Sequence, residues 1–162
     1  MGTMTPEETK AAKELIKRGA FVWMPGMRVL SDPFNRVPGR VDDSGYVLRS
    51  EFVDGILWKT DYSMPTQPDH PDLSDPATCG CLLAQLVEKI KARGKPLSPL
   101  EFEGIRDYVG LELLDEHYDS YCLREHYDGD NDPSFLVSSS PSLGLVLARA
   151  LLAYQEAAQC TP

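Results

Sequence analysis

No stretch of this chain approaches the ~18 consecutive apolar residues of a membrane-spanning helix, and the opening MGTMTPEETK lacks the apolar core of a secretory signal. The expectation is a cytoplasmic protein with no membrane partner. Histidine is scarce, at three residues, and the motifs of common chemistries are missing: there is no G-x-S-x-G elbow, no phosphate-cradling glycine loop and no H-E-x-x-H. No catalytic residue and no cofactor is assigned on these grounds. Four cysteines are present, yet no pair has C-x-x-C spacing. Cys79 and Cys81 would project roughly 200° apart on a helix and could not grip one metal. Cys122 lies in an apolar pattern and Cys160 is two residues from the end of the sequence. All four are read as reduced thiols acting as small apolar residues.

What is present describes a globular chain. With 162 residues, 42% hydrophobic and 9% aromatic, the sequence can bury its own core and is not that of a disordered protein. The expected fold class is α+β in a single domain over 1–162. It comprises an N-terminal helix (1–19), a small antiparallel sheet (20–62), a proline-rich connector (63–74) and a helical half (75–162) built around a central buried helix.

The helix grammar is clearest at 75–94. Asp75 can accept hydrogen bonds from the first free N–H groups, and Pro76 at the first helical position needs no donor. Lys89, Lys91 and Arg93 suit the carbonyl end of the dipole, and Gly94 permits a left-handed stop. Cys81, Leu82, Leu83, Ala84, Leu86, Val87 and Ile90 cover more than half the circumference, which predicts a core helix. Thr5, Pro6 and Glu8 form a capping box for a first helix that stops at Gly19. Ser98, Pro99 and Glu101 repeat that grammar for a helix to Val109. Leu111, Leu114, Tyr118, Tyr121 and Cys122 then have helical spacing, and Ser142 can cap a final helix to about Ala158. Before it, Phe135-Leu136-Val137 suggests a short strand.

Between Ala20 and Tyr62 the apolar period is two. Phe21, Trp23, Met27 and Val29, then Val37 and Val41, then Tyr46 and Leu48, then Phe52, Ile56 and Trp58 fall in short runs split by Pro25-Gly26, Asp32-Pro33, Pro38-Gly39, Ser44-Gly45 and Asp54-Gly55, which predicts four short antiparallel strands. Arg28, Arg36, Arg40 and Arg49 are the basic residues of this stretch, offset by Asp32, Asp42, Asp43, Glu51 and Asp54. Prolines 65, 68 and 71 then disfavour regular structure, and His70 among them reads as a solvated loop residue.

The net charge of −9 belongs to one segment. Residues 101–132 hold eleven acids and two bases, and the rest of the chain balances. A field of that sign repels nucleic acid and favours a basic partner. Within it the tetrad Glu-His-Tyr-Asp occurs at 116–119 and 125–128. His117 and His126, with Asp119 and Asp128, are ligand types for a transition metal. On an unbroken helix, however, the two histidines would sit about 13 Å apart on opposite faces. Asp128, Asp130 and Asp132 have the alternate spacing of a calcium loop, but Pro133 stands where that loop needs glycine and Ser139 where it needs glutamate.

Two resemblances complete the reading. DPAT followed by one residue and GCLLA (75–84), together with Trp23, Pro25, Gly26 and Met27, resembles a signature of small uncharacterised tailed-phage and prophage proteins, departing from it at Cys79 where that group carries Leu. The segment PGMRVLSDPFNRVPGRVDDSGYVL resembles the opening of SH3-like, KOW-type small barrels. The first implies a phage origin and no known activity. The expectation is thus a phage-encoded, non-catalytic binding protein in the cytoplasm of the infected host. Its acidic helical face (Glu112, Asp115, Glu116, Asp119, Glu125, Asp128, Asp130, Asp132) docks on a basic surface of a host or phage protein, with a nucleic-acid-handling or defence enzyme as the target class. A small metal-dependent enzyme using His117 and His126, and a phage structural or assembly adaptor, are the alternatives.

Overall fold

In the computed structural model of the chain, residues 3–31, 37–94, 97, 106–114, 120–127 and 134–160 are described. Helices lie toward both ends of the sequence and the strands form two antiparallel sheets, so the class is α+β as expected. The chain divides into two compact units, Met1–Cys81 and Leu82–Pro162, and the division falls within a helix. Among the described residues no helix is long and apolar enough to cross a membrane.

In the first unit, α1 (Pro6–Arg18) starts as its capping box dictates. Thr5 Oγ1 accepts the Glu8 N–H at 3.2 Å, and Glu8 Oε2 accepts the Thr5 N–H at 2.6 Å. Gly19 ends it at φ 59°, a conformation that favours glycine. Ala11, Ala12 and Leu15 form the narrow buried stripe.

The sheet comprises β1 (Arg28–Ser31), β2 (Gly39–Val41), β3 (Val47–Val53), β4 (Ile56–Ser63) and β5 (Asp69–Pro71), in the order β4-β3-β2-β1-β5. The fifth strand corrects the reading of 63–74 as a connector without regular structure. Pro71 is tolerated because β5 is an edge strand, where a missing donor breaks no inner ladder. His70, paired with Leu30 across β1, is buried rather than solvated. At Gly39 an added Cβ would lie 2.6 Å from Val47 Cγ1, so β2 and β3 approach closely only because that side chain is absent.

Three aspartates at a spacing of three residues tie this unit together, each through an arginine of a different strand. Asp69 meets Arg49 of β3 at 2.9 Å, with both side chains almost fully buried, and also accepts hydrogen bonds from the Ser31 hydroxyl and the Thr66 N–H. Asp72 pairs with Arg28 of β1 at 3.0 Å. Asp75 takes Arg40 of β2 on both oxygens, at 2.7 and 3.0 Å, and caps the following helix by accepting the Thr78 N–H and hydroxyl. Thr78 Oγ1 in turn accepts the Arg28 N–H at 2.9 Å.

That helix, α2 (Pro76–Arg93), has the expected start and ends at Gly94 with φ 63°. It is not a fully enclosed core helix. Thr78, Cys79, Leu82 and Leu86 are buried, whereas Leu83, Ala84 and Val87 on other faces are exposed. The steps of three and four between buried positions make a one-sided amphipathic helix, because the neighbouring elements cover a single stripe.

The second unit holds the remainder of α2, the strands β6 (Arg106–Leu114), β7 (Ser120–Tyr127) and β8 (Ser134–Ser140) in an antiparallel meander, and α3 (Leu143–Gln159) packed on β7 and β8. Ser142 caps α3 as expected, accepting the Leu145 N–H at 3.2 Å. Leu145, Val146, Leu147, Ala148, Ala150, Leu151 and Tyr154 are buried. Lys89 Nζ of α2 donates to Gln155 Oε1 of α3 at 2.7 Å.

Here the described parts of the expected helices at 98–109 and 111–124 are strands, so among the described residues Glu112 and Glu125 stand on strands and not on an acidic helical face. The spacing of Leu111, Tyr121 and Cys122 fits a period of 3.6, but Leu123, Glu125 and Tyr127 are the buried, alternating positions of β7. A glutamate in the middle of the inward row concealed the period of two.

Two expectations follow. Asp69→Ala leaves Arg49 buried without its counter-ion and should cost roughly 3–5 kcal/mol in chemical denaturation, whereas the double replacement Arg49→Met, Asp69→Leu should cost much less. At Asp75 burial is the largest influence and raises the pKa, yet the Arg40 guanidinium and the Thr78 donors together outweigh it. The carboxyl therefore lies below its ordinary 3.8. A lowered folded-state pKa contributes stability that is full above the unfolded value and lost as pH falls through the folded one. Asp75→Asn should be less stable than the native chain at neutral pH, with the gap closing below about pH 4. Urea unfolding across that range checks this; a gap independent of pH would contradict it.

Candidate protein-interaction surface

The sequence Phe52-Val53-Asp54-Gly55-Ile56-Leu57-Trp58 places apolar residues at consecutive positions on both sides of an Asp-Gly pair. Asp54 and Gly55 both have positive φ (50° and 78°), the backbone of a two-residue hairpin turn whose twist matches that of its strands. β3 and β4 pair from Val47 opposite Ser63 to Val53 opposite Ile56, with a bulge between Glu51 and Phe52. β2 accompanies β3 only at Val47 and Leu48. Beyond that point the hairpin has no further sheet partner among the described residues, and its two faces are both open.

The consequence is a concentration of exposed apolar side chains. Ile56 and Trp58 are 73% and 74% exposed, Phe52 is 62%, and Val53, Leu57, Leu48, Tyr62 and Met64 are also exposed. Isolated exposed leucines are ordinary; a continuous set carried by one hairpin marks an interaction surface. Its inner end is held rigidly. Tyr62 stacks on Tyr46 with ring centroids 5.0 Å apart, and its hydroxyl donates to Asp42. Asp42 also accepts the N–H groups of Ser44 and Tyr46. Those bonds, the Tyr62 hydroxyl foremost, hold the Asp42 carboxyl below its usual range, and Asp42 holds the tyrosine hydroxyl above its own.

Of the site residues expected from the sequence, Glu112, Glu125 and His126 are described, and they stand on β6 and β7. Glu112 on β6 is partly exposed and stands 2.9 Å from His126 Nε2 on β7. Glu125 is fully buried: its carboxylate accepts the hydroxyls of Tyr127 and Tyr154, each at 2.6 Å, and the Leu97 N–H at 2.9 and 3.0 Å. It braces the inside of the second unit and is not part of a docking face. Asp115, Glu116, His117, Asp119, Asp128, Asp130 and Asp132 fall outside the described residues. Among the described residues no three His, Cys, Asp or Glu side chains gather as a metal site. Three of the four arginines at 28–49, Arg28, Arg40 and Arg49, are engaged by Asp72, Asp75 and Asp69.

A cavity of about 480 Å³ lies in the first unit, lined by Lys13, Ile16 and Lys17 of α1 and by Gln67, Pro68, Asp69 and His70. His70 Nδ1 is 3.3 Å from the Pro68 carbonyl oxygen, and Asp69 is committed to Arg49.

The sequence predicts the hairpin's strands and turn but not its role as a contact surface, because apolar strands are normally core. Its signal was nonetheless there: an apolar run without alternation, folded back on itself at Asp54-Gly55, has more apolar surface than one sheet face can bury. Comparison with protein-family models, with curated proteins and with solved structures finds no match to this chain.

All four cysteines are free. Burial, aided by the charges of Asp75 and Asp72, pushes the Cys79 thiol up to about 11, and burial also raises Cys81. Cys160 is exposed. Iodoacetamide at pH 8 should therefore alkylate Cys160 in the native protein and leave Cys79 unmodified until the chain unfolds. Peptide mass spectrometry reads the outcome, and equal rates at the two sites would contradict the burial of Cys79.

Proposed function

We propose that this chain is a non-catalytic binding protein whose contact surface is the projecting β3–β4 hairpin. The observation that carries the reading is the exposure of Phe52, Ile56, Leu57 and Trp58 on a rigidly seated hairpin, since a few anchors, tryptophan prominent among them, supply most of the energy of protein interfaces. The strand order, with β5 returning beside β1, supports an SH3-like character for the first unit. The DPAT-x-GCLLA resemblance supports a phage origin, and with it a host or phage protein as partner.

A second reading keeps the acidic segment as the docking element. The observation favouring it is the charge of 101–132, which would accelerate encounter with a basic partner even with Glu125 buried. The two readings differ in salt dependence: apolar anchoring survives moderate salt and charge steering does not.

A photo-reactive phenylalanine analogue introduced at Trp58 should cross-link a defined protein in near-stoichiometric yield, at low and at moderate salt. The same probe at Val87, exposed on α2, should not. The variant Phe52→Ser, Ile56→Ser, Trp58→Ser should keep its unfolding temperature and lose the partner. Equal labelling from both positions, or none, would overturn the hairpin as the contact surface. Loss of binding on Glu112→Lys, or at moderate salt alone, would transfer the role to the acidic segment.

A further inference from the structure

We infer that β4 is a homodimer edge, at which two copies of the chain pair antiparallel about a two-fold axis through Thr60. The inference rests on the hairpin being the contact surface and names its occupant as a second copy.

β4 is the terminal strand of its sheet, and its outer edge pairs with no other strand among the described residues. Six of its eight residues are exposed, and the other two, Asp61 and Ser63, are partly so. An uncovered eight-residue edge with apolar side chains is a template for another strand. Lysine on an edge ordinarily discourages such pairing, and Lys59 sits mid-strand. The sequence around it is self-complementary.

A two-fold axis perpendicular to the sheet keeps each side chain on its own face, so an antiparallel pairing of identical strands must centre on a residue. Centring on Thr60 places Lys59 opposite Asp61 of the second copy and Asp61 opposite its Lys59. The register shift at Glu51 and Phe52 leaves Trp58 as the extra residue of β4, so the regular pairing runs over Lys59, Thr60 and Asp61, flanked by Trp58 and Tyr62. Centring on Lys59 or on Asp61 would instead oppose like charges, which destabilises a cross-strand pair. The charge pattern thus selects one register from its neighbours. Within the hairpin, Lys59 and Asp61 share the face of Glu51 and Arg49, while Thr60 and Tyr62 share that of Ser50 and Leu48. Tyr62, pinned by Asp42 and stacked on Tyr46, is a preformed anchor at the dimer edge. The two sheets would join into one of ten strands.

The test uses the full chain. Sedimentation equilibrium should show a concentration-dependent dimer. The variant Glu51→Lys, Lys59→Asp keeps opposite charges facing each other within the hairpin but sets an introduced carboxylate against Asp61 of the second copy, and should weaken association by about tenfold or more. In a Cys160→Ser background, Thr60→Cys should form an intermolecular disulfide on mild oxidation, because directly opposed residues have Cα atoms about 4.5–5.5 Å apart, within disulfide reach. Lys59→Cys, offset from its own copy, should do so poorly. A chain monomeric at all concentrations, or a dimer unaffected by the charge exchange and uncross-linked through Thr60→Cys, overturns the inference. If the chain is monomeric while a probe at Trp58 captures another protein, the hairpin reading stands and the homodimer falls; if neither occurs, both fall.

Discussion

Burying a carboxylate is costly unless a cation and further donors meet it, and the first unit meets that condition three times between residues 69 and 75. Asp69, Asp72 and Asp75 engage Arg49, Arg28 and Arg40, which stand on the third, first and second strands. A segment with prolines at 65, 68 and 71 lacks three backbone donors, and side chains add to the remaining backbone bonds that fix its path. They fasten β5 to the sheet edge and deliver Asp75 to the start of α2, where the same carboxylate caps the helix. Strand order, helix position and the burial of His70 all depend on these pairs.

The second unit solves a similar problem with one residue. Glu125 lies in the inward row of β7, where two tyrosine hydroxyls and a backbone N–H donate to its carboxylate. Tyr154 comes from α3 and Leu97 from the segment after α2, so the carboxylate links the strand to what covers it. Charge that reads as surface in the sequence is here part of the interior. Both units therefore use buried acids to fix connections that apolar packing alone would leave unspecific, a role for which directional bonds are suited.

Against this close matching of polar groups, the apolar excess on the β3–β4 hairpin stands out. The chain pairs its interior acids and leaves Phe52, Ile56, Leu57 and Trp58 in solvent. At ~25 cal/mol per Å² of apolar surface, several uncovered large side chains amount to a free energy comparable with that of a protein contact. The turn at Asp54-Gly55 and the Tyr46–Tyr62–Asp42 cluster keep that surface preformed. Little ordering remains to oppose association.

Local signals determined a good deal. The capping residues Thr5, Asp75 and Ser142 and the stops at Gly19 and Gly94 placed three helices closely, because a helix end is decided by hydrogen bonds within a turn or so. Asp54-Gly55 located the hairpin turn for the same reason. The sequence did not reveal that 106–114 and 120–127 are a strand pair, since apolar residues at Leu111, Tyr121 and Cys122 satisfy either period and Glu125 hides the true one. Nor did it reveal which acids lie inside, which arginines they hold, or that β4 is an open edge. Those depend on partners distant in sequence, 20 residues apart for Arg49 and Asp69 and 29 for Glu125 and Tyr154, and only the folded chain brings them within bonding distance.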